Sequence, residues 1–206
     1  MPDYDLDNAY DINGPEEARA LYGTWAQTYD DSFAEGWGYI APREIAAIFL
    51  KESGKNTPIL DIGAGTGLVT QHLQGHETDA LDITPEMLAI AGGKGIYRDL
   101  ITADLMKPLT LPDAVYGGVI SCGTFTHGHV GPECLPELLR VTRRGALFVC
   151  GTIAPVLDGL GFGSALARLV AAGRITPVRF VDIPIYEGAD HPHAQDRGLV
   201  MVFNRL

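Results

Sequence analysis

"ILDIGAGTG", residues 59 to 67, decides how the rest of the chain is read. Apolar residues around Asp61 make a short strand, and Gly63, Gly65 and Gly67 follow at alternate positions. Glycine at this density after a strand predicts a tight turn where backbone approaches a ligand, with a helix expected over "LVTQHLQ" behind it. The spacing excludes two nucleotide motifs. A dinucleotide fingerprint G-x-G-x-x-G would put its third glycine where this chain has Leu68. No G-x-x-x-x-G-K-[ST] occurs, so the triphosphate loop is excluded as well.

Outward from this turn, short apolar runs alternate with amphipathic segments. "PILDIG", "TDALDI", "IYRDLITAD", "YGGVISC", "ALFVCGTI", "VRFVDIPIY" and "GLVMVFN" are seven strand candidates. "PEMLAIAGG", "PECLPELLRVTRR" and "GSALARLVAAG" are helical candidates; Leu135, Leu138 and Leu139 form one i, i+3, i+4 stripe, and Leu166, Leu169 and Val170 another. Strands separated by helices need crossover connections, which predicts a parallel sheet covered on both faces. The last two runs are joined by "EGADHPHAQDRG", which has no helical pattern, so they are expected to pair antiparallel. The fold class is therefore α/β: a doubly wound, seven-stranded, mostly parallel Rossmann-like sheet with one antiparallel strand and N-terminal helices.

Before the first strand, residues 16 to 29 put Tyr22, Trp25 and Tyr29 on one helical stripe. "APREIAAIFLKESG" is a second helix, with Pro42 suited to its first turn and Gly54 to its end. Residues 1–55 are thus read as a helical lid segment of the same domain, and residues 56–206 as the core.

At 206 residues the chain fits one domain with a core of its own. A formal net charge of −11 argues against a polyanionic partner, since nucleic-acid binding draws on Lys and Arg neutralising phosphates. It opposes anionic membrane surfaces too, and no apolar run approaches the ~18 residues of a spanning helix. The acidic start "MPDYDLDNAYDINGPEEA" lacks the basic and apolar stretches of a signal peptide, so a cytoplasmic location is expected. Cys122, Cys134 and Cys150 form no C-x-x-C and are read as reduced thiols.

D-x-G-x-G-x-G over Asp61 to Gly67 resembles motif I of the class I S-adenosylmethionine-dependent methyltransferases. "YGTWAQTYD" is similar to the Y-x-x-W-A-x-x-Y-D pattern of small-molecule methyltransferases, and "YIAPREIAAIFL", "PELLRVTRRGALFV" and "LARLVAAGRITPV" to the methyltransferase-like group that includes the Williams–Beuren syndrome region methyltransferase. The resemblance implies a cofactor, S-adenosylmethionine, and a set of contacts. Asp61, Gly63, Ala64, Gly65 and Gly67 would form its loop, and Asp82 at the end of the second strand would hold the ribose hydroxyls. Ile83 would pack on adenine; Asp104 and the amide of Leu105 would meet its amino edge. Ser121 would border the site, and Tyr22 and Tyr29 would close over it. "YGGVIS" departs from the family's Y-D-x-V-I-S at Gly117. Outside this group, a non-catalytic module binding the nucleoside cofactor is the alternative, and a nicotinamide oxidoreductase is disfavoured by the glycine spacing.

The expected activity is in-line methyl transfer to a small-molecule acceptor, with no nucleic acid and no membrane as partner. "CGTFTHGHVGPE" after the fourth strand is the acceptor-side loop, with Phe125, His127 and His129 lining the acceptor pocket. The loop 186–197 would shape that pocket as well. A base is needed only for a neutral hydroxyl or a protonated amine, and His127 is the candidate. His191 and His193 offer a second histidine pair, but two polar loops account for both pairs and no metal is expected.

Overall fold

The computed structural model describes residues 14–53, 56–126, 130–188 and 190–206. All seven apolar runs are strands: β1 (Ile59–Ile62), β2 (Thr78–Asp82), β3 (Asp99–Thr102), β4 (Tyr116–Phe125), β5 (Thr142–Thr152), β6 (Arg179–Pro184) and β7 (Arg197–Asn204). They form one sheet in the order β3-β2-β1-β4-β5-β7-β6. Pairing is parallel from β3 through β5, and β7 runs antiparallel to both β5 and β6. The chain steps from β1 to β2 on one side and later returns to β4 on the other. The crevice at that switch opens beyond the carboxyl ends of β1 and β4, where such sheets bind ligands.

Strand residues alternate between two packed layers, as the period of two requires. Leu60, Ile62, Val119, Phe148, Met201 and Phe203 face one layer, closed by α4 (Leu135–Val141) and α6 (Phe162–Ala171). Ile59, Ile120, Leu147, Val149 and Val202 face the other, closed by α2 (Ala41–Ser53) through Ile45, Ala46 and Phe49. Before α2 come α1 (Pro15–Trp25) and a π-helical turn, Tyr29–Glu35; α3 (Pro85–Gly93) follows β2, and a short α5 (Ala154–Gly159) precedes α6. Among the described residues no helix is long and apolar enough to cross a membrane.

Four local expectations change. "LVTQHLQ" forms only a 3-10 turn, Thr70–His72. Val69 and Thr70 are β-branched, and the Thr70 hydroxyl is taken by the Asp61 carboxylate at 2.8 Å. The N-terminal helix stops at Trp25 and resumes as the π turn. The helix in "PECLPELLRVTRR" ends at Val141, because Thr142 turns extended and begins β5. Finally, β4 runs on to Phe125, past the point where a loop was expected, with a register irregularity between Ser121 and Phe125 at positive-φ Gly123.

The departure at Gly117 has a packing cause. A Cβ there would lie 2.5 Å from Arg143 Nη2 and 2.9 Å from the Asn56 carbonyl carbon. Gly118 is as confined, its would-be Cβ 2.5 Å from Phe49 Cζ. Gly118→Ala is therefore expected to destabilise the fold by about 1–3 kcal/mol. The readout is a lower urea midpoint at unchanged m-value, and Phe49→Leu in the same chain should recover part of the loss.

Candidate functional site

A cavity of about 990 Å³, counting its open mouth, lies at the switch point. Its floor is the turn from Gly63 to Thr66, and one wall is Asp82, Ile83, Asp104 and Leu105. Tyr22, Tyr29 and Tyr39 of the N-terminal segment form the opposite wall, with Cys122 to Thr124 and Val130 completing it.

The three glycines have φ of 61, 54 and 93, so each sits in the left-handed region that disfavours side chains. Their surroundings differ. A Cβ at Gly63 would meet Thr124 Oγ1 at 2.0 Å, and one at Gly67 would meet Tyr97 at 3.0 Å. A Cβ at Gly65 would meet nothing within 4 Å, since it points into the cavity. Gly63 and Gly67 thus let the turn pack on its neighbours, while Gly65 leaves bare backbone facing a ligand.

Asp82 ties this turn to β2. Its Oδ2 accepts from the Gly65 amide and its Oδ1 from the Thr84 amide, both at 2.8 Å. Burial raises its carboxyl above the usual range, against these backbone donors. Lone pairs remain for further donors at the cavity surface, as recognition of a diol requires. Asp104 lies on the same wall, but its carboxylate accepts from the Met106 amide at 2.9 Å and pairs with Lys107 at 3.2 Å. Asp61 is different: 1 % exposed, it stands behind the turn. Its Oδ2 accepts from Tyr97 (2.7 Å) and Thr70 (2.8 Å). Burial pushes its carboxyl up to about 7, opposed by those two bonds and aided by Asp82.

The aromatic wall is continuous. Ring centroids are 6.4 Å apart for Tyr22 and Tyr29, 4.9 Å for Tyr29 and Phe33, and 5.4 Å for Phe33 and Tyr39. The Tyr39 hydroxyl and Cys122 Sγ are hydrogen-bonded at 3.0 Å. Burial holds both Tyr29 and Tyr39 as neutral phenols, far above the ordinary tyrosine value.

Of the expected site residues, Tyr22, Tyr29, Gly63, Ala64, Gly65, Asp82, Ile83, Asp104 and Leu105 meet around this cavity. Asp61, Gly67, Ser121 and Phe125 do not line it. Ser121 is fully buried and donates to the Ile62 carbonyl at 3.0 Å. Phe125 still lies within β4 and packs on Phe162 at 5.2 Å, in the core rather than beside an acceptor. His127 and His129 lie outside the described residues. The loop 186–197 stands behind the aromatic wall: His191 packs on Trp37 and Tyr186, and His193 pairs with Asp196 at 3.0 Å. Among the described residues no three His, Cys, Asp or Glu side chains are grouped to hold a metal. The sequence reading missed Tyr39, Thr66 and Thr124. Thr66 was in view as a spacer between glycines; Tyr39 and Thr124 have no sequence signal, since only the fold brings them to the turn.

Residues 60–150 match the family described as "Methyltransferase domain". Human methyltransferase-like protein 27 is 34% identical over 173 residues, covering 77% of this chain and 69% of that protein. The chain belongs to the class I S-adenosylmethionine-dependent methyltransferases. Its sheet superimposes on the Burkholderia thailandensis 1,6-didemethyltoxoflavin-N1-methyltransferase, bound to 1,6-didemethyltoxoflavin and S-adenosylhomocysteine, with a TM-score of 0.63. That match has 22% identity over 94% of this chain and 93% of the other, a likeness of fold. The methyltransferase uses S-adenosylmethionine, and the cavity fits it: bare backbone at Gly65, an acid at Asp82 and apolar faces at Ile83 and Leu105.

One expectation falls here. An Arabidopsis thaliana 18S rRNA (guanine-N(7))-methyltransferase is 34% identical over 84 residues, 40% of this chain and 29% of that enzyme. The exclusion of nucleic acid, drawn from net charge, and with it the restriction to a small-molecule acceptor, drawn from the resemblance of "YGTWAQTYD", are therefore overturned. Total charge governs long-range steering of a polyanion, whereas the acceptor group is chosen by the local surface it enters.

The raised Asp61 carboxyl has a consequence for stability. Unfolded aspartate titrates near ~3.9, so between about pH 4 and 7 the folded chain keeps a proton that the unfolded chain has lost. Stability from this group is full below ~4 and is lost as pH rises to about 7. Asp61→Asn, which still accepts from Tyr97 and Thr70, should flatten the fall in unfolding free energy, measured by urea titration over that window, by up to about 1.4 kcal/mol per pH unit. An unaltered slope would refute the assignment.

Proposed function

We propose that this methyltransferase seats its cofactor between Asp82 and the glycine turn and transfers the methyl group to a planar heteroaromatic acceptor held against the tyrosine wall. The observation that carries this reading is a single cavity running from Asp82, Ile83 and Leu105 at one end to Tyr29, Tyr39 and Cys122 at the other. The cofactor supplies a methyl group on a sulfonium, already activated for in-line displacement. The Asp82 carboxylate accepts both ribose hydroxyls, and Ile83 and Leu105 enclose the adenine. Asp104, with the Leu105 amide, meets the adenine amino edge. Of the N-terminal segment, residues 14–39 act as the lid, through Tyr22 and Tyr29, while α2 beyond them packs on the sheet.

Neutral phenols suit a neutral flat acceptor, since aromatic side chains favour stacked and edge-on contact with rings. A ring nitrogen with a free lone pair needs no deprotonation, so no base is required of His127. The relative named for guanine-N(7) methylation supports this acceptor chemistry. What remains for the protein is alignment and exclusion of water, and alignment can contribute about 7–11 kcal/mol to lowering the barrier. The unpaired thiols of Cys122, Cys134 and Cys150 support a reducing compartment, the cytoplasm.

Two measurements test the reading. Asp82→Ala should weaken S-adenosylhomocysteine binding at least about tenfold by calorimetric titration, the loss of charge-assisted hydrogen bonds; full retention would remove the ribose role. Turnover should be seen with a guanine-containing RNA fragment or with free purine nucleosides, the two arms separating polymer from free base. Methylation confined to aliphatic amines or carboxylates would rule out the heteroaromatic acceptor.

A further inference from the structure

Among the contacts that hold the N-terminal aromatic segment to the cavity are those of an acid that no part of the proposed chemistry uses. Asp30 follows Tyr29 in the π turn, and its two carboxylate oxygens reach two different elements. Oδ1 accepts from Thr66 Oγ1 at 2.5 Å, inside the glycine turn. Oδ2 meets Lys94 Nζ at 2.5 Å, just past the end of α3. Thr66 is 1 % exposed and Asp30 and Lys94 are largely shielded, so these are not loose surface contacts. Lys94 Nζ itself is buried, and withdrawing Asp30 would leave an ammonium without its counter-charge.

We propose that Asp30 is the positioning residue that latches the aromatic lid over the cofactor, by engaging Thr66 of the glycine turn and Lys94 at the end of α3 together. This rests on the reading of the cavity as the cofactor seat. Thr66 lies between Gly65, which faces the ligand, and Gly67, which packs on Tyr97. Closure of the lid and the shape of the ligand-binding turn are therefore mechanically linked. At its far end the segment is also held, where the Ile40 amide donates to the Ile185 carbonyl at 2.9 Å, Tyr39 bridges Tyr186 and the Tyr39 hydroxyl meets Cys122 Sγ. That end is a natural pivot. Exchange of the cofactor requires the Asp30 contacts to break, so Asp30 sets the residence time rather than the chemical step.

The chain supplies its own reporter, because its two tryptophans, Trp25 and Trp37, flank the π turn. Stopped-flow tryptophan fluorescence would follow release of S-adenosylhomocysteine from the full chain. Asp30→Asn is expected to speed release roughly tenfold, as loss of a charge-assisted bond predicts, with Thr66→Val acting in the same direction. Asp30→Asn with Lys94→Gln should speed it by less than the product of the single effects, while Asp31→Asn leaves it unchanged. Release from Asp30→Asn at the wild-type rate, or equal acceleration by Asp31→Asn, would overturn the latch alone. Absence of binding by the wild type would overturn the cofactor seat and the latch with it.

Discussion

The hydrogen bond from the Gly65 amide to the Asp82 carboxylate, beside that from the Ala64 amide to the Leu81 carbonyl, joins the turn after β1 to the end of β2. The site depends on it. Glycine enters left-handed backbone without strain but also leaves it freely, and the acid at Asp82 and the packing at Thr124 and Tyr97 hold these three positions in one shape. The same acid projects into the cavity, so the group that shapes the turn is also the group offered to the ligand. Asp61 supports the arrangement from behind by engaging Thr70 and Tyr97, and its burial next to Asp82 makes it hold a proton more tightly.

Around this node the fold segregates its tasks. The sheet and its two apolar layers provide a rigid base, and the parallel order brings the ends of β1, β2 and β4 to one edge. The N-terminal segment adds a second, aromatic wall made of neutral phenols. One wall is polar at a few points and otherwise apolar; the other can stack on a flat group. Together they define a channel with a cofactor end and an acceptor end, and the Asp30 contacts bridge the lid to the turn that floors it.

Much of this was legible in the chain. Short apolar runs between amphipathic segments marked all seven strands, since central strands of a sheet covered on both faces bury successive residues. The missing helix in "EGADHPHAQDRG" marked the reversed pair, because only an antiparallel connection can be that plain. Three acids and three glycines named the family. Two expected contacts do not line the cavity: Ser121 turns from β4 to the Ile62 carbonyl, and Phe125 lies where β4 continues past the expected loop; the helix expected over "LVTQHLQ" is a 3-10 turn, with the Thr70 hydroxyl taken by Asp61. The charge total misled on partners for a simpler reason: a sum over the chain has no position.

By itself the sequence determined the strand order's raw material, the left-handed turn and the acid at the end of β2, because backbone geometry and period are local properties. Only the tertiary structure decided which of those residues face the ligand. Asp61 and Gly67 look equivalent to Asp82 and Gly65 in the motif, yet one pair is packed away and the other lines the cavity. Tyr39, Thr66 and Thr124 enter the site, and Asp30 meets Lys94, through contacts between residues dozens of positions apart. Such contacts exist only once the sheet has assembled, since no local rule can specify which distant side chain arrives to complete a site.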